Sequence, residues 1–184
     1  MKFTIVFAGL VGIFLTPALA NYNINVNNNN SGGSGQQSVS VNKEHNVVNV
    51  DNNNGWDSWN SLWDYESGFA VTRIFNKKSC IMHKMNKAVM PSFQALETLV
   101  KEKKFQGKGL GEPPPKSLIY TVKPDKVNNL DQFGKPIVAM CKGIPTYMAE
   151  EIQDTSQNLH IGKCFSIDTL QILNISFCGG TVEN

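Results

Sequence analysis

Cys80, Cys141, Cys164 and Cys178 are the residues of this sequence with the most chemistry to offer. Four thiols can pair as disulfides, hold a metal or supply a nucleophile. The spacing disfavours a metal, because there is no Cys-x-x-Cys and His45, His83 and His160 are scattered. Nucleophilic catalysis needs a free thiol, and four paired cysteines leave none. Gly-x-Ser-x-Gly, a phosphate loop, His-Glu-x-x-His and the dinucleotide glycine fingerprint are all missing. Glu150 and Glu151 are adjacent carboxylates, and neighbours on a strand point to opposite faces. The chain is therefore expected to be no enzyme, with no cofactor and no metal. One carboxylate stands out. Asp64 lies in Leu62-Trp63-Asp64-Tyr65, sixteen residues before Cys80. Its plain reading is an exposed Asp at a helix end or turn. Packed against Trp63 and Tyr65 it would instead be desolvated, its pKa raised, and it could act as a proton-controlled switch.

The compartment decides which thiol chemistry applies. Residues 1–20 begin Met1-Lys2, continue through an apolar stretch from Ile5 to Leu15 and end Thr16-Pro17-Ala18-Leu19-Ala20. That is the three-part pattern of a secretory signal peptide, with cleavage expected after Ala20. The apolar run falls short of the ~20 residues a spanning helix needs, and Gly9, Gly12 and Pro17 interrupt it. The product is expected to be secreted, through the ER, Golgi and secretory granules, without a stable membrane anchor. In that oxidising route disulfides are the default, and four cysteines permit three pairings. Loop-closure entropy gives about 4 kcal/mol for joining Cys80 to Cys141 and about 3 kcal/mol for Cys164 to Cys178. Of 184 residues, 41% are hydrophobic and 17% charged, which excludes a polytopic membrane protein and a wholly disordered chain. The net charge of +2 gives no reason to expect a nucleic-acid partner.

Three regions follow the leader. Residues 21–54 are Asn-rich; Asn21-Tyr22-Asn23-Ile24-Asn25-Val26 alternates polar with apolar, and the alternation resumes at Ser38-Val39-Ser40-Val41 and Asn46-Val47-Val48-Asn49-Val50. Either the segment is disordered or it forms polar strands that add to a sheet edge. Residues 55–151 read as the folded domain. Trp56, Trp59 and Trp63, at i, i+3 and i+7, would share one face of a helix: a core face, or a sugar-stacking surface. The residues from Phe69 to Phe75 and from Cys80 to Met85 read as a hairpin. A helix opens at Pro91-Ser92 with Phe93, Leu96 and Val100 as its buried stripe and Glu97 placed to pair with Lys101. A strand from Leu118 to Val122, a second helical stretch through Val127, Leu130, Phe133 and Ile137, and an extended run from Ile144 to Met148 complete an α+β domain. Residues 152–184 contain nearly uncharged, β-prone windows between Leu159 and Phe177. Asn29-Asn30-Ser31 and Asn174-Ile175-Ser176 are glycosylation sequons at Asn29 and Asn174.

Asp64, then Cys80, then Cys141 in Cys141-Lys142-Gly143-Ile144-Pro145-Thr146-Tyr147 resembles the Asp-Cys-Cys signature of a BRICHOS domain. The leader and the run Gly55-Trp56-Asp57-Ser58-Trp59 resemble secreted gastric members of that family. The resemblance implies a central sheet of about five strands flanked by two helices, and it implies pairing Cys80 with Cys141 and Cys164 with Cys178. It also implies a β-prone C-terminal segment that the domain shields. Functionally it implies a secreted mucosal protein supporting epithelial growth and integrity, with anti-aggregation chaperone activity. Expected partners are β-prone segments in cis or trans and an epithelial receptor or mucin-type partner, and the resemblance leaves room for an oligomer. The alternative is a passive structural or carbohydrate-binding mucus component.

Overall fold

The computed structural model describes residues 19–28, 33–106, 115–152 and 163–179. Its strands are β1 (Leu19–Asn28), β2 (Gly33–Asn42), β3 (Val47–Asn53), β4 (Trp59–Asp64), β5 (Phe69–Ile74), β6 (Ser79–Lys84), β7 (Lys116–Lys126), β8 (Thr146–Glu151), β9 (Cys164–Thr169) and β10 (Leu173–Cys178), with helices α1 (Phe93–Gln106) and α2 (Lys135–Cys141). All ten strands join one sheet in the order β1-β2-β3-β4-β5-β6-β8-β7-β10-β9. Pairing is antiparallel except for β6 with β8 and β7 with β10.

This corrects the expected architecture. The protein is mostly strand, a ten-stranded curled mixed sheet with two helices, and not a five-stranded sheet flanked by two helices. Strands β4 to β8 and both helices lie within 55–151; the flanks supply the other five strands. The reason is edge chemistry. β4 and β7 would otherwise present rows of unpaired N–H and C=O groups. β3 pairs along β4 from Val47↔Asp64 to Asn52↔Trp59, and β10 pairs along β7 from Leu173↔Lys116 to Cys178↔Thr121.

Side-chain alternation divides the central strands β4, β5 and β6 between two apolar layers. Trp59, Trp63, Ala70 and Ile74 enter the larger inner cluster, together with Phe93, Leu96 and Val100 of α1. Leu62, Val71, Cys80 and Met82 face outward, where Ile137 and Cys141 of α2 cover them. The tryptophans are therefore not on a helix. Trp59 and Trp63 are buried on one face of β4, because a spacing of four suits both a helical turn and a strand's even period. Trp56 stands apart in a short 3-10 turn, Gly55–Asp57. The second helix is also shorter than expected. Val127 to Leu130 is not helical, Asp131–Phe133 forms a 3-10 turn, and Pro136 lies in the first turn of α2. Helix α1 matches its reading: Phe93, Leu96 and Val100 are buried and Lys101 Nζ lies 2.9 Å from Glu97 Oε1.

A buried amide closes the curl. Gln37 of β2, 4% exposed, donates from Nε2 to the Asp168 carbonyl at 2.6 Å, and its Oε1 accepts the Leu170 N–H at 2.9 Å. One side chain thus ties the second strand from one end of the sheet to the β9–β10 turn at the other. Replacing it with Leu strands a buried N–H. We expect Gln37→Leu to cost about 2 kcal/mol, read as a lower urea midpoint with unchanged slope; wild-type stability would mean the ends do not meet.

Candidate functional site

The outer face holds the residues that sequence analysis singled out. Asp64 ends β4, where the chain turns into β5. Its Oδ1 accepts the N–H groups of Glu66 at 3.0 Å and Ser67 at 3.1 Å, and the Gly68 N–H bonds to its carbonyl at 2.9 Å. The side chain is 3% exposed. Trp63 and Asp64 point to opposite faces of β4, so the indole lies in the inner cluster and donates to Ser61 Oγ at 3.1 Å, away from the carboxylate. Asp64 Oδ2 instead approaches Gly134, the residue before α2. Gly134 has φ of 105°, and a Cβ there would lie 3.1 Å from Oδ2. A side chain at 134 is thus excluded twice, by backbone and by space.

Helix α2 is fastened at its other end by the Cys80–Cys141 disulfide, with Cα atoms 6.1 Å apart and both residues fully buried. The carboxylate under its start and the sulfur bridge at its end hold seven residues of helix against the sheet, which an isolated helix that short could not sustain. Cys164 and Cys178 form the second bridge across directly opposed residues of β9 and β10. Asn174 lies in β10 opposite Asp168 and is half-buried; Asn29 lies outside the described residues. No group of three or more His, Cys, Asp or Glu residues able to hold a metal occurs among the described residues.

Sequence reasoning missed His83. It sits on the inner face of β6, fully buried, its ring 4.2 Å from that of Tyr120 and 5.8 Å from that of Phe177. Nδ1 lies 3.1 Å from the Lys84 carbonyl, while Nε2 has no hydrogen-bond partner among the described residues. Burial lowers its pKa to about 4, against the opposing pull of the Lys84 carbonyl. The signal was present, since Ile81, His83 and Met85 share the parity of a buried face. Tyr65 and Tyr120 are pushed up, Tyr65 by burial and Tyr120 by burial and then by Glu151. The Tyr65 hydroxyl donates to the Pro91 carbonyl at 3.0 Å.

The geometry of these residues is one of fastening: sulfur bridges and a capped carboxylate. A family model for the BRICHOS domain matches residues 55–148, half of the chain, and the chain belongs to that family. Within it the similarity is to the gastrokines. The chain is 71% identical to Gastrokine-1 of Homo sapiens and 72% identical to Gastrokine-1 of Sus scrofa, covering all of both chains in each case. Gastrokine-3 of Homo sapiens is 34% identical over 96% of this chain and 97% of that one. No solved structure matches.

Two outcomes follow for the buried groups. The folded-state pKa of His83 lies below its ordinary value of 6.5, so the unfolded chain takes up the proton first. The stability that neutral His83 contributes is complete above pH 6.5 and is lost as pH falls towards 4, by about 3 kcal/mol. The difference in unfolding free energy between wild type and His83→Phe should change by that amount over this window, and a constant difference would contradict it. Asp64→Ala, which strands the N–H groups of Glu66 and Ser67, should lower stability by about 2 kcal/mol at pH 7 in thermal unfolding; an unchanged midpoint would show that the cap contributes nothing.

Proposed function

We propose that this is a secreted, non-enzymatic protein of the gastric mucosa whose sheet shields β-prone segments from aggregation by main-chain pairing. The observation that supports this reading is how the chain treats its own flanks. The Asn-rich segment adds as β3 to one edge of the central strands, and the nearly uncharged C-terminal segment adds as β10 to the other. Leu173, Ile175 and Phe177 are buried by that addition. A surface that accepts two unlike extended segments suits others, because backbone pairing reads no sequence.

Among the described residues β9 ends the sheet order, and its stretch around Ser166, short of the Gln37 contact at Asp168, is where a further strand would add. Cys164 and Cys178 are directly opposed with Cα atoms 4.1 Å apart, the spacing of a non-hydrogen-bonded antiparallel pair. By alternation Ser166, opposite Ser176, is another such position, so its N–H faces away from β10. Ser166→Pro would then spoil the outer edge and keep the ladder. The full wild-type chain should delay fibril growth of an unrelated amyloid peptide at equimolar ratio, and Ser166→Pro should lose most of the delay while melting near wild type. No delay by wild type removes the shielding activity; equal delay by both moves it off β9.

Similarity to the gastrokines supports a finer reading as a factor for epithelial growth and barrier integrity, acting through a surface receptor or mucin-type partner. Saturable binding to gastric epithelial cells is its expected result. Binding that free sugar abolishes would favour a passive mucus component instead.

A further inference from the structure

Among the described residues only two large apolar side chains are exposed, and they sit on neighbouring turns. Trp56, 80% exposed, crowns the turn between β3 and β4; Phe75, 44% exposed, opens the turn between β5 and β6. The two turns are joined: the Phe75 N–H bonds to the Ser58 carbonyl at 3.3 Å, and Asn76 Nδ2 donates to Asp57 Oδ1 at 3.4 Å. Both rings therefore project from the same end of the sheet.

The charges around them have one predominant sign. The Arg73 guanidinium lies 5.0 Å above the Phe75 ring. Lys77 and Lys78 complete the turn, which the Lys78 N–H closes on the Phe75 carbonyl at 3.1 Å. Lys142 is exposed and follows Cys141, whose bonded partner Cys80 lies two residues beyond Lys78. The nearby carboxylates are already engaged: Asp57 accepts from Asn76, and Asp51, in the same cross-strand row as Arg73, accepts from Asn49 and Asn60. No ion pair to an acidic residue engages Arg73, Lys77, Lys78 or Lys142 among the described residues.

We propose that these paired turns are a docking tip for an anionic lipid surface, with Trp56 and Phe75 entering the headgroup layer and Arg73, Lys77, Lys78 and Lys142 holding the acidic headgroups. Trp at a water–lipid boundary places its apolar ring inward and its N–H at the headgroups. A few basic residues beside two such rings give reversible attachment, and no helix among the described residues is long and apolar enough to cross a membrane. A neutral sugar would match the rings but gain nothing from the cations.

The test is flotation of the full chain with vesicles of phosphatidylcholine containing one third phosphatidylserine, beside vesicles of phosphatidylcholine alone. We expect binding to the anionic vesicles that weakens as salt is raised, with little binding to the neutral ones. Trp56→Ala should weaken it about tenfold, and joint Lys77→Gln and Lys78→Gln replacement roughly twentyfold. The three substituted side chains lie on turns outside the core, so circular dichroism and the melting curve should match wild type. Absence of binding to anionic vesicles overturns the proposal, as does unchanged binding by Trp56→Ala. Capture on an immobilised sulfated glycan with no vesicle binding would overturn it by assigning the tip to carbohydrate.

Discussion

The constraint on which the structure turns is that backbone N–H and C=O groups at the margins of the central strands must be paired. A strand left without a neighbour exposes a template for any extended chain. Here the neighbours come from the chain itself. β3 lies against β4 and β10 against β7, so sequence on either side of the family-matched region completes its sheet. The Gln37 amide then joins the two added ends, which places the N-terminal and C-terminal flanks in contact although they are distant in sequence.

From that constraint the division of labour follows. The inner face of the curl takes the large apolar residues and α1. The outer face would be left bare over β4 to β6, and α2 covers it. So short a helix is held by what is attached to it, the Cys80–Cys141 bridge at one end and the Asp64–Gly134 approach at the other. The Asp and the two Cys residues of the family signature therefore serve one mechanical purpose, although they lie far apart in sequence. Their chemistry is that of fastening, with the carboxylate satisfied by two N–H groups and the sulfurs sealed in the core.

Local patterns were legible where period and burial agree. The hairpin of β5 and β6 and the buried stripe of α1 could be read from Phe69 to Phe75 and from Phe93, Leu96 and Val100. Trp59 and Trp63 were read as helical because a spacing of four satisfies either period. The extent of the sheet was hidden for a different reason. Asn-rich alternation states that a segment can extend, while the partner that makes it a strand is tertiary information, supplied here by β4. Asp64 stood out by its neighbours, yet its burial came from Gly134, seventy residues away. His83 was visible only in the parity of its strand, and Gln37 carried no local mark at all.

Amide hydrogen exchange tests the central claim most directly. If the flanks pair with the central sheet, peptides covering β4 and the β10-paired part of β7 should exchange as slowly as those covering β5, which has strands on both sides. Exchange of β4 and β7 at the rate of open loops, with β5 still protected, would show that the margins are bare and would contradict the account.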